Sequence, residues 1–129
     1  MTNVNYTEDK DYLLAFEKLS DFIARLNKVG SKDLLNELLT DAERIMLVKR
    51  FAAIVMLHND YSSYRVSTIL SISISTAQRI HKNYDDQAYH ELLKHIRPKE
   101  NKVFCSLIED LIMAQVSPRA RARLMNRVL

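Results

Sequence analysis

Gly30 is the only glycine in a chain of 129 residues, and Pro98 and Pro118 are the only prolines. Those two residue types are the strongest local punctuation a chain has, so their scarcity points to helices joined by short connections. Hydrophobic residues make up 47% of the chain, enough for a core and too many for disorder. The length fits one domain, residues 1–129, better than two.

The helical periodicity agrees. A first helix is expected from about Glu8 to Lys28, with Tyr12, Phe16, Leu19, Ile23 and Leu26 forming a coiled-coil-like seam that Leu13 and Phe22 widen. Gly30 stands where a helix C-terminus favours a left-handed residue. Ser31 can then cap a short helix through Leu34, Leu35, Leu38 and Leu39. Thr40-Asp41-Ala42-Glu43 is a capping box and the clearest helix start in the chain. The helix behind it runs to about His58. Ile45, Leu47, Val48, Phe51, Ile54, Val55 and Leu57 make it apolar over more than half its circumference. So wide a stripe requires central burial or a place between two subunits. Downstream, Asp85-Asp86 can cap a helix that carries Ala88, Leu92, Leu93 and Ile96 and is closed by Pro98. Another is expected from about Glu100 to Gln115, with Val103, Phe104, Leu107, Ile108, Leu111 and Ile112 as its core stripe. Ser117-Pro118 opens a tail, Arg119 to Leu129, that holds four arginines and no acid. It reads as a solvated surface helix or as a phosphate-contacting arm.

The most informative stretch is Ser62 to Tyr84, read as two short helices joined by a tight turn. Val66, Leu70, Ile72, Ala77 and Ile80 are its buried positions. Ser67 is the small residue at the crossing, Ser71 opens the turn, and Ser62 and Ser73 cap the two helices. Such a pair presents its second helix to the DNA major groove. No Asp or Glu occurs from Tyr61 to Tyr84. The polar positions are Ser73, Ser75, Thr76, Gln78, Arg79, His81 and Lys82, a set suited to phosphates and base edges. In that reading Gln78 meets adenine, Arg79 guanine and Thr76 a thymine methyl, while Arg65, His81 and Lys82 hold phosphates. The alternative is an ordinary helical hairpin whose acids fall elsewhere. With a net charge of +3, affinity for nucleic acid has to come from local charge.

Other chemistry is thinly represented. Cys105 is the only cysteine, so no disulfide framework or thiolate zinc site is expected. His58, His81, His90 and His95 lack metal-ligand spacing, and neither a phosphate-binding glycine loop nor a nucleophile elbow is present. No catalytic residue is therefore expected. No apolar run reaches membrane-spanning length and no signal-peptide layout is seen, which places the chain in the cytoplasm as an expectation.

From Leu34 to about Tyr89 the chain resembles the Trp repressor family, especially its smaller tryptophan-repressor-like regulators. The resemblance is carried by Leu38-Leu39-Thr40-Asp41-Ala42-Glu43-Arg44, by Leu47, Arg50 and Leu57, and by Ser62, Val66, Leu70, Ile72, Ser73, Thr76 and Arg79. Asp85-Asp86-Gln87-Ala88-Tyr89 looks like the segment that follows in those regulators. The resemblance implies an all-α helical bundle with a helix-turn-helix and an intertwined homodimer. Residues 1–61 would supply dimerisation helices, 62–84 the helix-turn-helix, and 85–129 the C-terminal helices and basic tail. It further implies a repressor of transcription that binds double-stranded DNA at a near-palindromic operator. Arg50 and Arg79 match the arginines that hold the ligand in tryptophan-binding members, which implies tryptophan or another small co-repressor. Asp60, Ser71 and Ile80 stand where those members carry glycine. A serine held left-handed at Ser71 costs of the order of 1 kcal/mol.

Two other classes fit the same residues: the targeting module of a transposase or recombination system, and a protein-interaction module without DNA binding. The first needs a separate nuclease subunit. The second draws on the apolar seam of the first helix.

Overall fold

The computed structural model describes residues 8–114, with the backbone alone for Glu109 and for residues 111–114. Leu111, Ile112 and the tail with Ser117, Pro118 and Arg119 to Leu129 therefore lie outside the described side chains. Among the described residues there are seven helices and no strand: α1 (Lys10–Ala24), α2 (Lys28–Leu38), α3 (Asp41–His58), α4 (Ser63–Leu70), α5 (Ile74–Asp85), α6 (His90–Leu93) and α7 (Pro98–Ala114). The protein is all-α, as expected. It forms two compact units, one ending at Arg44 and the other beginning at Ile45.

In the first unit, Asp9 caps α1 by accepting from the backbone of Asp11 and Tyr12. The helix stops at Ala24, four residues short of the expected end, because Asn27 caps α2 instead. Its side chain accepts from the Gly30 N–H at 2.8 Å. Gly30 is consequently inside α2 and has no positive φ. Its expected role as a left-handed terminator, and that of Ser31 as a cap, are replaced by a steric one. A Cβ at Gly30 would lie 3.1 Å from Leu26 Cδ2 and 3.3 Å from Asn27 Oδ1. Neither α1 nor α2 has a buried residue.

The capping box forms as read. Thr40 N–H donates to Glu43 Oε1 at 3.0 Å, and Glu43 N–H donates to Thr40 Oγ1 at 3.2 Å. These bonds, the one from the Thr40 backbone first, hold the Glu43 carboxyl below the ordinary glutamate range. Arg44 closes the helix start by pairing with Asp41 and donating to the Asn36 side chain at 3.0 Å.

The second unit holds the core. Ala52 to Leu57 of α3 are all buried, and Val66, Leu70, Ala77, Ile80 and Ile108 pack with them. Phe51 meets Phe104 edge-on at 5.2 Å between centroids. Asn59 and Asn101 exchange amide hydrogen bonds at 2.9 and 3.2 Å, and Asn59 also donates to Val55 O at 2.7 Å. The reciprocal pair fixes the start of α7 to the end of α3. By contrast Ile45, Met46, Leu47 and Val48 are all exposed.

Two further boundaries, in the second unit, differ from expectation. The helix read from Asp85-Asp86 to Pro98 reduces to the four residues of α6, because α5 continues through Asp85 and Gln87 then turns left-handed at φ 65°. Ala88 and Leu92 are exposed there, while Leu93 and Ile96 are half-buried. Pro98 opens α7 instead of closing the previous helix, which suits a residue with no N–H to pair. Within α7, Ile108 is buried, Phe104 and Leu107 are half-buried, and Val103 is exposed. No helix among the described residues is long and apolar enough to cross a membrane.

Candidate functional site

Local chemistry builds the α4–α5 pair residue by residue. Ser62 Oγ accepts from the Arg65 N–H at 3.2 Å and starts α4. Val66 and Leu70, one helical turn apart, are buried and anchor it to the core. Ser71 ends α4 in the left-handed region, φ 53° and ψ 49°, where glycine would be unstrained. Ser67 secures the turn: its backbone carbonyl accepts from Ile72 N–H at 3.1 Å, and its hydroxyl donates to Ile72 O at 2.7 Å. Lys49 of α3 donates to the Ser71 carbonyl at 3.4 Å. Ser73 Oγ then accepts from Thr76 N–H at 3.1 Å and starts α5. Ala77, wholly buried, lets α5 approach closely, and Ile80 seats the next turn. Ile72 is half-buried.

The face of α5 that remains is polar. Ser75, Gln78, Arg79 and Lys82 are all exposed, at spacings that share one helix face, and Ser73 is exposed at its start. Thr76 is half-buried and accepts from Ser73 Oγ at 2.8 Å. His81 is half-buried as well. Its Nδ1 lies 2.5 Å from Ser63 Oγ on α4, and its Nε2 lies 3.8 Å from Asp85. It braces the two helices against each other while its side chain stays partly exposed. Arg65 is exposed on α4.

Three cations outside the helix pair meet carboxylates: Arg44 with Asp41, Lys94 with Glu91 at 3.0 Å, and Arg97 with Glu100 at 3.6 Å. Arg65, Arg79 and Lys82 pair with no carboxylate among the described residues. The acid-free run from Tyr61 to Tyr84 thus holds three exposed cations, none of them with a carboxylate partner among the described residues.

Arg50 and Arg79, far apart in sequence, line one open cavity of about 360 Å³ with Lys49, Thr76, Asn83 and Ile80. The aliphatic chain of Ile80 is part of its wall. No group of three or more His, Cys, Asp or Glu that could hold a metal ion occurs among the described residues.

Sequence reasoning overlooked three contributors. Lys49 of α3 reaches the turn. Ser63 meets His81. Tyr61 lies under Arg65, with the guanidinium carbon 4.6 Å from the ring centroid. The spacing of four between Tyr61 and Arg65 was a usable signal for the last.

Apolar exposure is concentrated in α1, α2 and the first half of α3. On α1, Tyr12, Leu13, Leu14, Phe16, Leu19, Phe22 and Ile23 all remain at least 40% exposed. Leu19, Phe22, Leu26, Leu34 and Leu38 line a groove of about 510 Å³ rimmed by Asp33 and Glu37. Isolated soluble chains rarely leave so much apolar surface to water.

Comparison of the chain with protein-family models, with curated proteins and with solved structures found no match.

Proposed function

We propose that this chain is a dimeric, sequence-specific DNA-binding regulator of the Trp-repressor-like kind, acting as a repressor at a near-palindromic operator. The observation that carries the reading is the exposed polar face of α5 from Ser73 to Lys82, a stretch without Asp or Glu, where Arg79 and Lys82 have no acidic partner among the described residues. A surface of unpaired cations interleaved with amide and hydroxyl groups is matched by phosphates and base edges. The helix pair is a helix-turn-helix in this reading, with α5 in the major groove. Ser75, Gln78 and Arg79 read bases, and Lys82 and Arg65 hold the backbone.

A second copy covers the exposed apolar residues of α1 and the first half of α3. It also repeats the recognition helix roughly 34 Å away, one turn of the duplex. Such a core, shared between copies, accounts for helices that form without burying anything of their own. The cavity holding Arg50 and Arg79 is then the place for tryptophan or another small co-repressor, as the family resemblance implies.

The test is selection of duplexes from a random-sequence pool by the native protein, followed by mobility shift on the enriched site. Enrichment of a sequence with twofold symmetry, and weaker binding by Arg79→Ala by about 1–3 kcal/mol, is the expected result. Absence of any retained duplex at low salt would defeat the proposal.

A further inference from the structure

Tyr61 precedes the Ser62 cap and belongs to no helix. Its backbone N–H donates to Met56 O at 3.0 Å, which ties it to the end of α3, and its side chain is half-buried against the core. The Arg65 guanidinium lies over this anchored ring, 4.6 Å from the centroid. Arg65 itself is exposed and pairs with no carboxylate among the described residues.

A guanidinium stacked on an aromatic face is satisfied through its plane, and its five N–H groups point outward from its edge. That edge fits two oxygens of a phosphate in parallel. The stack also removes rotamer freedom from a long side chain before any phosphate is met. A free arginine loses that freedom on binding.

We propose that Tyr61 is a positioning residue that holds Arg65 ready to grip one phosphate of the DNA backbone, a grip separate from the base-reading face of α5. The inference rests on the DNA-binding reading above. It assigns to Tyr61, which touches no DNA itself, a measurable share of affinity exerted only through Arg65.

The experiment is a double-mutant cycle in duplex binding across a salt series, with the full chain. Tyr61→Phe keeps the π face. Tyr61→Leu keeps a shorter apolar side chain and removes the π face. Arg65→Ala removes the cation. Thermal melting of each variant accompanies the binding. The expected result is that Arg65→Ala lowers the salt slope by about one for each phosphate that Arg65 neutralises. Tyr61→Phe binds as the native protein does. Tyr61→Leu weakens binding about two- to tenfold per copy, the cost of ordering one rotamer-rich side chain on binding. In the Arg65→Ala background the same leucine change has no further effect. Equal weakening by Tyr61→Leu with and without Arg65 would overturn the proposal, as would an Arg65→Ala protein with unchanged slope. A native protein that retains no duplex at low salt would remove the DNA-binding reading itself, an outcome distinct from binding without coupling.

Discussion

Replacing Lys82 with glutamine offers a quantitative check on how the helix pair meets a polyanion. Three exposed cations of the pair, Arg65, Arg79 and Lys82, lack carboxylate partners among the described residues. A dimer doubles them to six. If each neutralises one phosphate, log affinity falls with log salt at a slope of about −0.9 × 6, or about −5.4. Raising salt fourfold, from about 50 to about 200 mM, then weakens binding by about 4 to the power 5.4, roughly 2 × 10³-fold. Lys82→Gln removes two of the six cations, one per copy, and leaves a slope of about −3.6 and a weakening of roughly 150-fold over the same range. Lys82 is exposed in the last turn of α5, and its side chain pairs with no carboxylate among the described residues, so the fold is undisturbed. Fluorescence anisotropy with a labelled duplex over that salt range measures both slopes. A variant whose slope equals the parent's would refute the placement of Lys82 on the phosphate backbone. A parent slope near about −2.7, the value for three phosphates, would refute the doubling by a second copy.

Other consequences concern the scaffold. Met56 is fully buried, so Met56→Ala should destabilise the second unit by about 2–5 kcal/mol in denaturant unfolding; a change below about 1 kcal/mol would contradict the core described. Glu43 is held below its ordinary range by its bonds to Thr40, so its share of stability is present above the unfolded-state value and fades as pH falls through the folded one. Glu43→Gln should flatten that acidic limb in thermal melts at successive pH values, and an unchanged limb would count against the capping box. Leu13→Ser with Phe16→Ser, both exposed on α1, should shift sedimentation toward the monomer while helix content is kept. A mass unaffected by the double change would place the self-association surface elsewhere.

The readable parts of this chain were those fixed by interactions within a few residues. Thr40 with Glu43, Ser62 with Arg65, and Ser73 with Thr76 are caps whose partners sit three positions away, and each formed as the sequence indicated. Val66, Leu70, Ala77 and Ile80 were legible because one face of a short helix can bury nothing else. Gly30 misled because two local solutions competed: a left-handed stop at Gly30, or a cap by Asn27 that keeps Gly30 helical. The second makes a 2.8 Å hydrogen bond that the first lacks. Pro98 misled in the same manner, since proline ends one helix or begins the next with the same fixed φ. The wide apolar stripe of α3 was visible, but what covers Ile45 to Val48 was not. Periodicity names the face to be buried and says nothing of the partner.

Within the candidate site, the hydroxyls and cations of α5 could be read from residue type, whereas their environments could not. His81 reads as a phosphate contact by residue type; that it also lies against Ser63, eighteen residues away in sequence, could not be read. Lys49 reaches Ser71 across twenty-two residues. Arg50 and Arg79 share a cavity only because α3 packs on α5, and the family resemblance alone suggested that meeting. Interactions of this range are set by packing, which local propensity does not encode.

Nuclear magnetic resonance mapping of the isotope-labelled protein with a short duplex at low salt tests the central claim most directly. Amide shifts concentrated on Ser62 to Lys82, largest around Ser75, Gln78 and Arg79, are the predicted result. A titration that moves no resonance, or moves only those of α1, α2 and α7, would contradict it.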